Sequence, residues 1–192
     1  VRGGPAGAIE WRLRKWPLLT GHAQGIAEWT QRGSRLAAAF DLSPQGVDLG
    51  ALRGIVDVGT ARALPVWPQA VVAAWAPGEG RLRIDIGSLE IRDGRLKRIV
   101  GVVEADGLVS LDRERAVLGD HRLVWREGPA PLGELTDRGG PLEVRARLRQ
   151  AVDGVWQFDG TVRARDAAWQ TRLMAFGPPD AAGSHALSFE WR

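Results

Sequence analysis

Three histidines, two pairs of carboxylates and a row of arginines are the side chains of this 192-residue chain with the most obvious chemical potential. A zinc site needs ligands at short, matched spacing, such as His-x3-His on one face. His22, His121 and His185 lie far apart and show no such spacing. They read as scattered strand or surface residues. Glycoside hydrolysis needs two carboxyl groups about 5–9.5 Å apart across a cleft. Asp85/Glu90 and Asp153/Asp159 fall instead on strand faces and turns. No Gly-x-Ser-x-Gly elbow offers a nucleophile. Gly140-Pro141-Leu142 has neither the lysine nor the following helix of a phosphate loop. The sequence therefore assigns no catalytic, metal or cofactor-binding residue.

Arginines and tryptophans leave more room for function. Arg145, Arg147 and Arg149 stand at every second position, with Arg163 and Arg165 nearby in a second segment. Such a row can meet an acidic partner or lipid headgroups. It can equally be a solvated sheet face, which Glu143 and Asp159 partly neutralise. The chain has nine tryptophans and no tyrosine. Trp156, Trp169 and Trp191 could line an apolar groove for a lipid or a partner segment. They could also fill the core of a sheet otherwise rich in alanine and glycine.

The elements that must position these residues follow from periodicity. Leu142, Val144, Ala146 and Leu148 alternate with Glu143, Arg145, Arg147 and Arg149, the period of a half-buried strand. Trp156, Phe158, Val162 and Ala164 share a phase in the next segment. Two Asp-Gly pairs, Asp153-Gly154 and Asp159-Gly160, compete to be the turn. A two-residue loop at Asp153-Gly154 sets Leu148 against Asp159 and Arg149 against Phe158. A three-residue loop, Val152-Asp153-Gly154, sets Leu148 against Phe158, Val144 against Val162 and Leu142 against Ala164. On the wet side it sets Arg147 against Asp159 and Glu143 against Arg163. Facing residues share a side of the sheet, so the three-residue loop is predicted. Gly160 then lies inside a strand, where it relaxes the chain or makes room for a neighbour.

Further strands are predicted at Ile9–Arg14, Arg35–Leu42, Val47–Val58, Val71–Ala76 and His121–Arg126, with Leu64–Pro68 a loop. Leu82, Ile84 and Ile86 slip phase at Gly87-Ser88 before Leu89 and Ile91, which predicts a β-bulge. A two-residue turn at Asp93-Gly94 sets Ile91 against Leu96 and Glu90 against Lys97. Trp169, Leu173 and Phe176 recur at helical spacing after an Asp166 N-cap and before Gly177. A last strand turns Leu187, Phe189 and Trp191 inward. Short strands, short turns and one late helix predict a mainly β fold. Its antiparallel meander forms a curved sheet, half-barrel or barrel, as a single domain over residues 1–192.

Composition sets the remaining bounds. Apolar residues make up 44% of the chain, enough for a core, and cysteine is absent, so disulfides and thiolate chemistry are excluded. Acidic and basic residues alternate and the formal charge is only +3, so no nucleic-acid stripe is present. No apolar run reaches the roughly 18 residues of a membrane span. The first residue is Val1 and not Met, so the chain reads as a fragment with room for a targeting or anchoring segment upstream.

Three patches resemble the type II secretion system protein N family of the bacterial general secretory pathway. They are "IEWRLRKWPLLTGHA" (9–23), "GRLRIDIGSLEIRDGRL" (80–96) and "GGPLEVRARLRQAVDGVWQFDGTVRARD" (139–166), the last followed by "FGPPDAAGSHALSFEW" (176–191). Lys15-Trp16-Pro17 stands where that family has Arg-Pro. The resemblance implies the periplasmic domain of an inner-membrane protein, anchored by an N-terminal helix. It implies an accessory structural part of the secretion apparatus with no enzymatic activity and no cofactor. Its partners are other secretion subunits, on the inner-membrane platform or the outer-membrane secretin side. The alternative is a periplasmic lipid or lipoprotein carrier, whose mark is an apolar groove left unfilled by the protein's own side chains.

Overall fold

The computed structural model describes residues 7–62, 77–111, 114–151 and 153–191. Eleven strands form one antiparallel sheet in sequence order. They are β1 (Ala8–Leu13), β2 (Ala23–Gln31), β3 (Ser34–Ser43), β4 (Gly46–Asp57), β5 (Pro77–Arg92), β6 (Arg95–Ser110), β7 (Val117–Trp125), β8 (Leu132–Asp137), β9 (Leu142–Gln150), β10 (Trp156–Ala164) and β11 (His185–Trp191). β1 and β11 end the sheet without pairing to each other, so the meander is open and not a barrel. A single helical turn, α1 (Val58–Arg62), follows β4, and the late helix is α2 (Ala167–Leu173). The predicted Leu64–Pro68 loop and Val71–Ala76 strand lie outside the described residues.

The β9–β10 register is the one alternation predicts. Leu148 faces Phe158, Val144 faces Val162 and Leu142 faces Ala164, while Arg147 faces Asp159 and Glu143 faces Arg163. Ala151 and Val155 close the loop by a backbone hydrogen bond, and Gly154 takes φ 87°, which a β-branched residue adopts only under strain. Gly160 is present because its partner is close. A Cβ there would sit 2.4 Å from that of Ala146 and 2.5 Å from the Arg145 carbonyl oxygen.

At the β5–β6 turn, Asp93 and Gly94 both have positive φ, the pattern of a tight hairpin turn. Ile91 faces Leu96 as expected, but Glu90 faces Arg98 and not Lys97, because an irregularity beside the turn takes up one residue. The predicted bulge at Gly87 is present between Ile86 and Ser88. β2 and β8 are strands that alternation did not reveal.

The sheet curls. Strands lie about 4.8 Å apart, so a flat sheet would hold β6 and β9 some 14 Å from each other. Yet the Leu96 amide of β6 donates to Gln150 Oε1 of β9 at 3.2 Å. The apolar face turns inward, and Val56, Leu82, Leu118, Leu142, Val144, Phe158, Val162 and Leu187 share one core cluster. α2 seals part of that face through Leu173, which is fully buried. Asp166 begins α2 by accepting a hydrogen bond from the Trp169 amide at 2.8 Å. Burial of the Leu173 side chain contributes roughly 1.5–3 kcal/mol.

Candidate functional site

The inner face does not close on itself completely. A cavity of about 260 Å3 remains between the start of β5, α1 and the middle of β6–β10. Its walls are aliphatic and aromatic, with Leu82, Ala105, Leu123, Leu135, Leu148 and Phe158 among them. Interiors are normally packed to crystal-like density, and among the described residues this part of the inner face is not.

One buried polar side chain lies in its described wall. His121 shares the inward phase of β7 with Trp125 and is 8% exposed, and its Nδ1 has no hydrogen-bond partner. Burial pushes its pKa below the ordinary imidazole value, against the Leu118 backbone and the carboxylates of Asp137 and Asp120. The ring is neutral at physiological pH. Arg62, exposed at the end of α1, is the charged residue at the cavity edge among the described lining residues.

Two of the three singled-out tryptophans meet at one end of this face. Trp156 and Trp191 stack with centroids 6.3 Å apart, and Trp125 meets Trp156 edge-on at 6.1 Å. Gly133 lies beneath Trp125, where a Cβ would come within 3.1 Å of the indole. Trp191 also lines the cavity. Trp169 sits elsewhere, on α2, packed against the core edge with the Arg172 guanidinium 5.1 Å over its ring.

Arg145, Arg147, Arg149 and Arg163 all project from the opposite, outer face. Glu143 pairs with Arg163 and, at 3.4 Å, with Arg145. Arg149 donates to Gln157 at 2.9 Å and approaches Asp159 at 3.9 Å. Arg147 has Glu134 and Asp159 across from it on its two neighbours and makes no ion pair with either. Exposed pairs of this kind contribute about 0–1 kcal/mol each. Arg165 behaves differently: it donates to Asp137 at 2.7 Å and to the carbonyls of Gly140 and Leu142. Burial would raise Asp137. Bonds from Arg165 and from the Val144 and Gly139 amides outweigh it and hold the carboxyl below its ordinary range.

The other histidines are structural. His22 Nδ1 lies 2.9 Å from Asp41, and the hydrogen bond keeps that carboxyl low. His185 is buried with Nδ1 2.8 Å from the Gly177 carbonyl, so it donates there. Among the described residues, no three His, Cys, Asp or Glu side chains gather as a metal site.

The model of the family described as type II secretion system protein N matches residues 1–188. The chain belongs to that family. No curated protein and no solved structure matches it. Membership makes this a component of type II secretion, in a family of structural secretion proteins rather than known enzymes. Among the described residues no helix is long and apolar enough to cross a membrane.

Spacing alone does not set His121 apart from His22 and His185. Its signal was available, because His121, Leu123 and Trp125 occupy alternate positions of one strand. The cavity itself had no sequence signal, since it depends on how far the sheet curls.

Proposed function

We propose that the chain works as a single periplasmic domain of an inner-membrane-anchored secretion subunit and acts by protein–protein contact. The observation that supports this reading is β1. It is an edge strand with all six residues exposed, among them Ile9 (68%) and Trp11 (69%). An exposed edge with apolar side chains is suited to receive a strand from a partner. The outer arginine face offers a second, weaker contact through charge complementarity.

The test is co-purification with defined periplasmic segments of inner-membrane platform subunits and of the secretin. An Ile9→Lys/Trp11→Lys variant should lose at least tenfold in capture, because charge on an edge strand opposes pairing. An Arg145→Glu/Arg147→Glu variant should lose less. Capture by none of the subunits, or capture indifferent to both variants, would refute the docking role.

A second reading, a carrier of apolar molecules, has one specific observation behind it. Among the described residues the inner face leaves apolar space unfilled, which suits a carrier better than a purely structural sheet.

A further inference from the structure

Between β1 and β2 a short 3-10 helix, Trp16–Thr20, carries the most open apolar side chains among the described residues. Trp16 is 82% exposed and Leu19 is 79% exposed, and no residue of the helix is buried. A 3-10 helix repeats every three residues, so Trp16 and Leu19 lie one above the other on one side. They make an apolar tip that adds nothing to the core. The tip is held by its own backbone. Pro17 fixes φ at the start, and Gly21 leaves the helix at φ 78°. The Gly21 and His22 amides donate back to the Leu18 and Pro17 carbonyls at 3.3 and 3.0 Å.

From Trp11 to His22 the sequence carries Arg12, Arg14 and Lys15 and no acid. All three are exposed, and none makes an ion pair with a described residue. Asp41, on β3, is already bonded to His22 and Gln24. The tip stands at the end of the sheet where Leu13 faces Gly25, Gly25 faces Phe40 and Phe40 faces Leu49. Ala8, Thr30, Arg35 and Ile55 mark the other end, with α1 and the start of β5 beyond them. Gly7, Arg62 and Pro77, which border segments outside the described residues, all belong to that other end.

Unpaired bases beside an open indole and leucine fit a charged, soft surface better than a protein socket. Protein interfaces deplete lysine at their dry centre, and here Lys15 directly precedes Trp16. An anionic bilayer takes both features: phosphates meet the bases, and the apolar side chains enter the boundary between headgroups and acyl chains.

We propose that the Trp16–Thr20 tip docks on an anionic bilayer surface, with Trp16 and Leu19 inserted and Arg12, Arg14 and Lys15 among the phosphate headgroups. This gives the domain a peripheral membrane contact of its own, separate from strand capture at the β1 edge.

The purified chain is floated with vesicles of phosphatidylcholine containing about a third phosphatidylglycerol, and with vesicles of phosphatidylcholine alone. It should bind the anionic vesicles at least about tenfold better, and high salt should release it. Arg14→Glu/Lys15→Glu should lose about 25-fold or more, since each base near an anionic surface contributes roughly fivefold. Trp16→Ser/Leu19→Ser should lose about tenfold with the charge unchanged. Arg32→Glu/Arg81→Glu makes the same change of charge at exposed positions of the opposite end and should bind as the parent does. No binding to anionic vesicles, or an equal loss in Arg32→Glu/Arg81→Glu, would overturn the inference. Absence of vesicle binding together with loss of subunit capture in Arg14→Glu/Lys15→Glu would also overturn it, making the tip a protein contact and leaving the docking role standing. Specific vesicle binding by a chain that captures no subunit would uphold the inference while the docking role fell.

Discussion

The two ends of the sheet share one alternating pattern and differ in what covers it. In β1–β3, inward-phase residues such as Ile9 and Trp11 remain largely open, and only Gly25 and Ser34 are buried. In β9–β11 the equivalent positions are closed: Leu142 and Val162 are 0% exposed and Leu187 is 2% exposed. The difference lies in the neighbours. β9–β11 receive α2 on one side and curl toward β5 and β6, while among the described residues β1–β3 reach the core cluster only at its margin, through the half-buried Trp29 and Leu36. Alternation thus makes a two-faced ribbon, and burial requires a second layer or enough curvature to supply one.

The largest test of this contrast is truncation of one apolar residue at each end. Leu142→Ala should destabilise by about 2–5 kcal/mol, as expected for a large side chain removed from a packed core. Ile9→Ala should stay within about 0.5 kcal/mol, as exposed positions do. Urea denaturation followed by tryptophan fluorescence compares them directly, and equal losses would erase the distinction between the ends.

Gly160 sharpens the picture on the covered side. Gly160→Ala pushes a methyl into Ala146 and the Arg145 carbonyl and should destabilise by roughly 1–3 kcal/mol, as overpacking does. Gly154→Val should lose roughly 1–2 kcal/mol through positive φ alone. Pairing Gly160→Ala with Ala146→Gly should recover part of the first loss and none of the second, measured by thermal melts.

A smaller effect separates the two carboxylates that anchor connections at opposite ends. Asp137, held low by Arg165 and two amides, should give up about 1–2 kcal/mol on Asp137→Asn at pH 7. The sign follows from linkage. A carboxyl depressed in the folded state adds stability above its unfolded pKa of about 3.9, and that stability is lost as pH falls through the lower folded value. The gap between Asp137→Asn and the parent chain should therefore vanish in acid. Asp41→Asn should show the same trend with a smaller gap, because Asp41 is more exposed than Asp137 and is held by His22 and Gln24 without an arginine hydrogen bond.

Much of the covered end was legible in the sequence, and the reasons are local. Asp153-Gly154 and the alternation around it leave one register that matches apolar to apolar across β9 and β10. Asp166 starts α2 without reference to the rest of the fold, and the helical spacing expected through Phe176 continues past Leu173 as a 3-10 turn (Met174–Phe176) that stops at Gly177. β8 was not legible: between prolines, its inward positions are Gly133 and Leu135, too few large side chains to show a period. β2 failed for a related reason, since Ala23, Gly25 and Ala27 are small enough to blur the alternation that Trp29 continues. The Glu90–Arg98 pairing was missed because an irregularity at Lys97 is a property of sheet coiling, which no single hairpin encodes. For the site, the outer arginines and inner tryptophans could be assigned to faces. The buried state of His121 and the space beside it required the curvature of six strands.

Hydrogen exchange read by mass spectrometry, strand by strand, tests the central claim most directly. Amides in residues 142–150 and 156–164 should remain protected long after those in residues 8–13 and 23–31 have exchanged. Equal protection across the four segments, or faster exchange in β9 and β10 than in β1, would contradict a sheet covered at one end and open at the other.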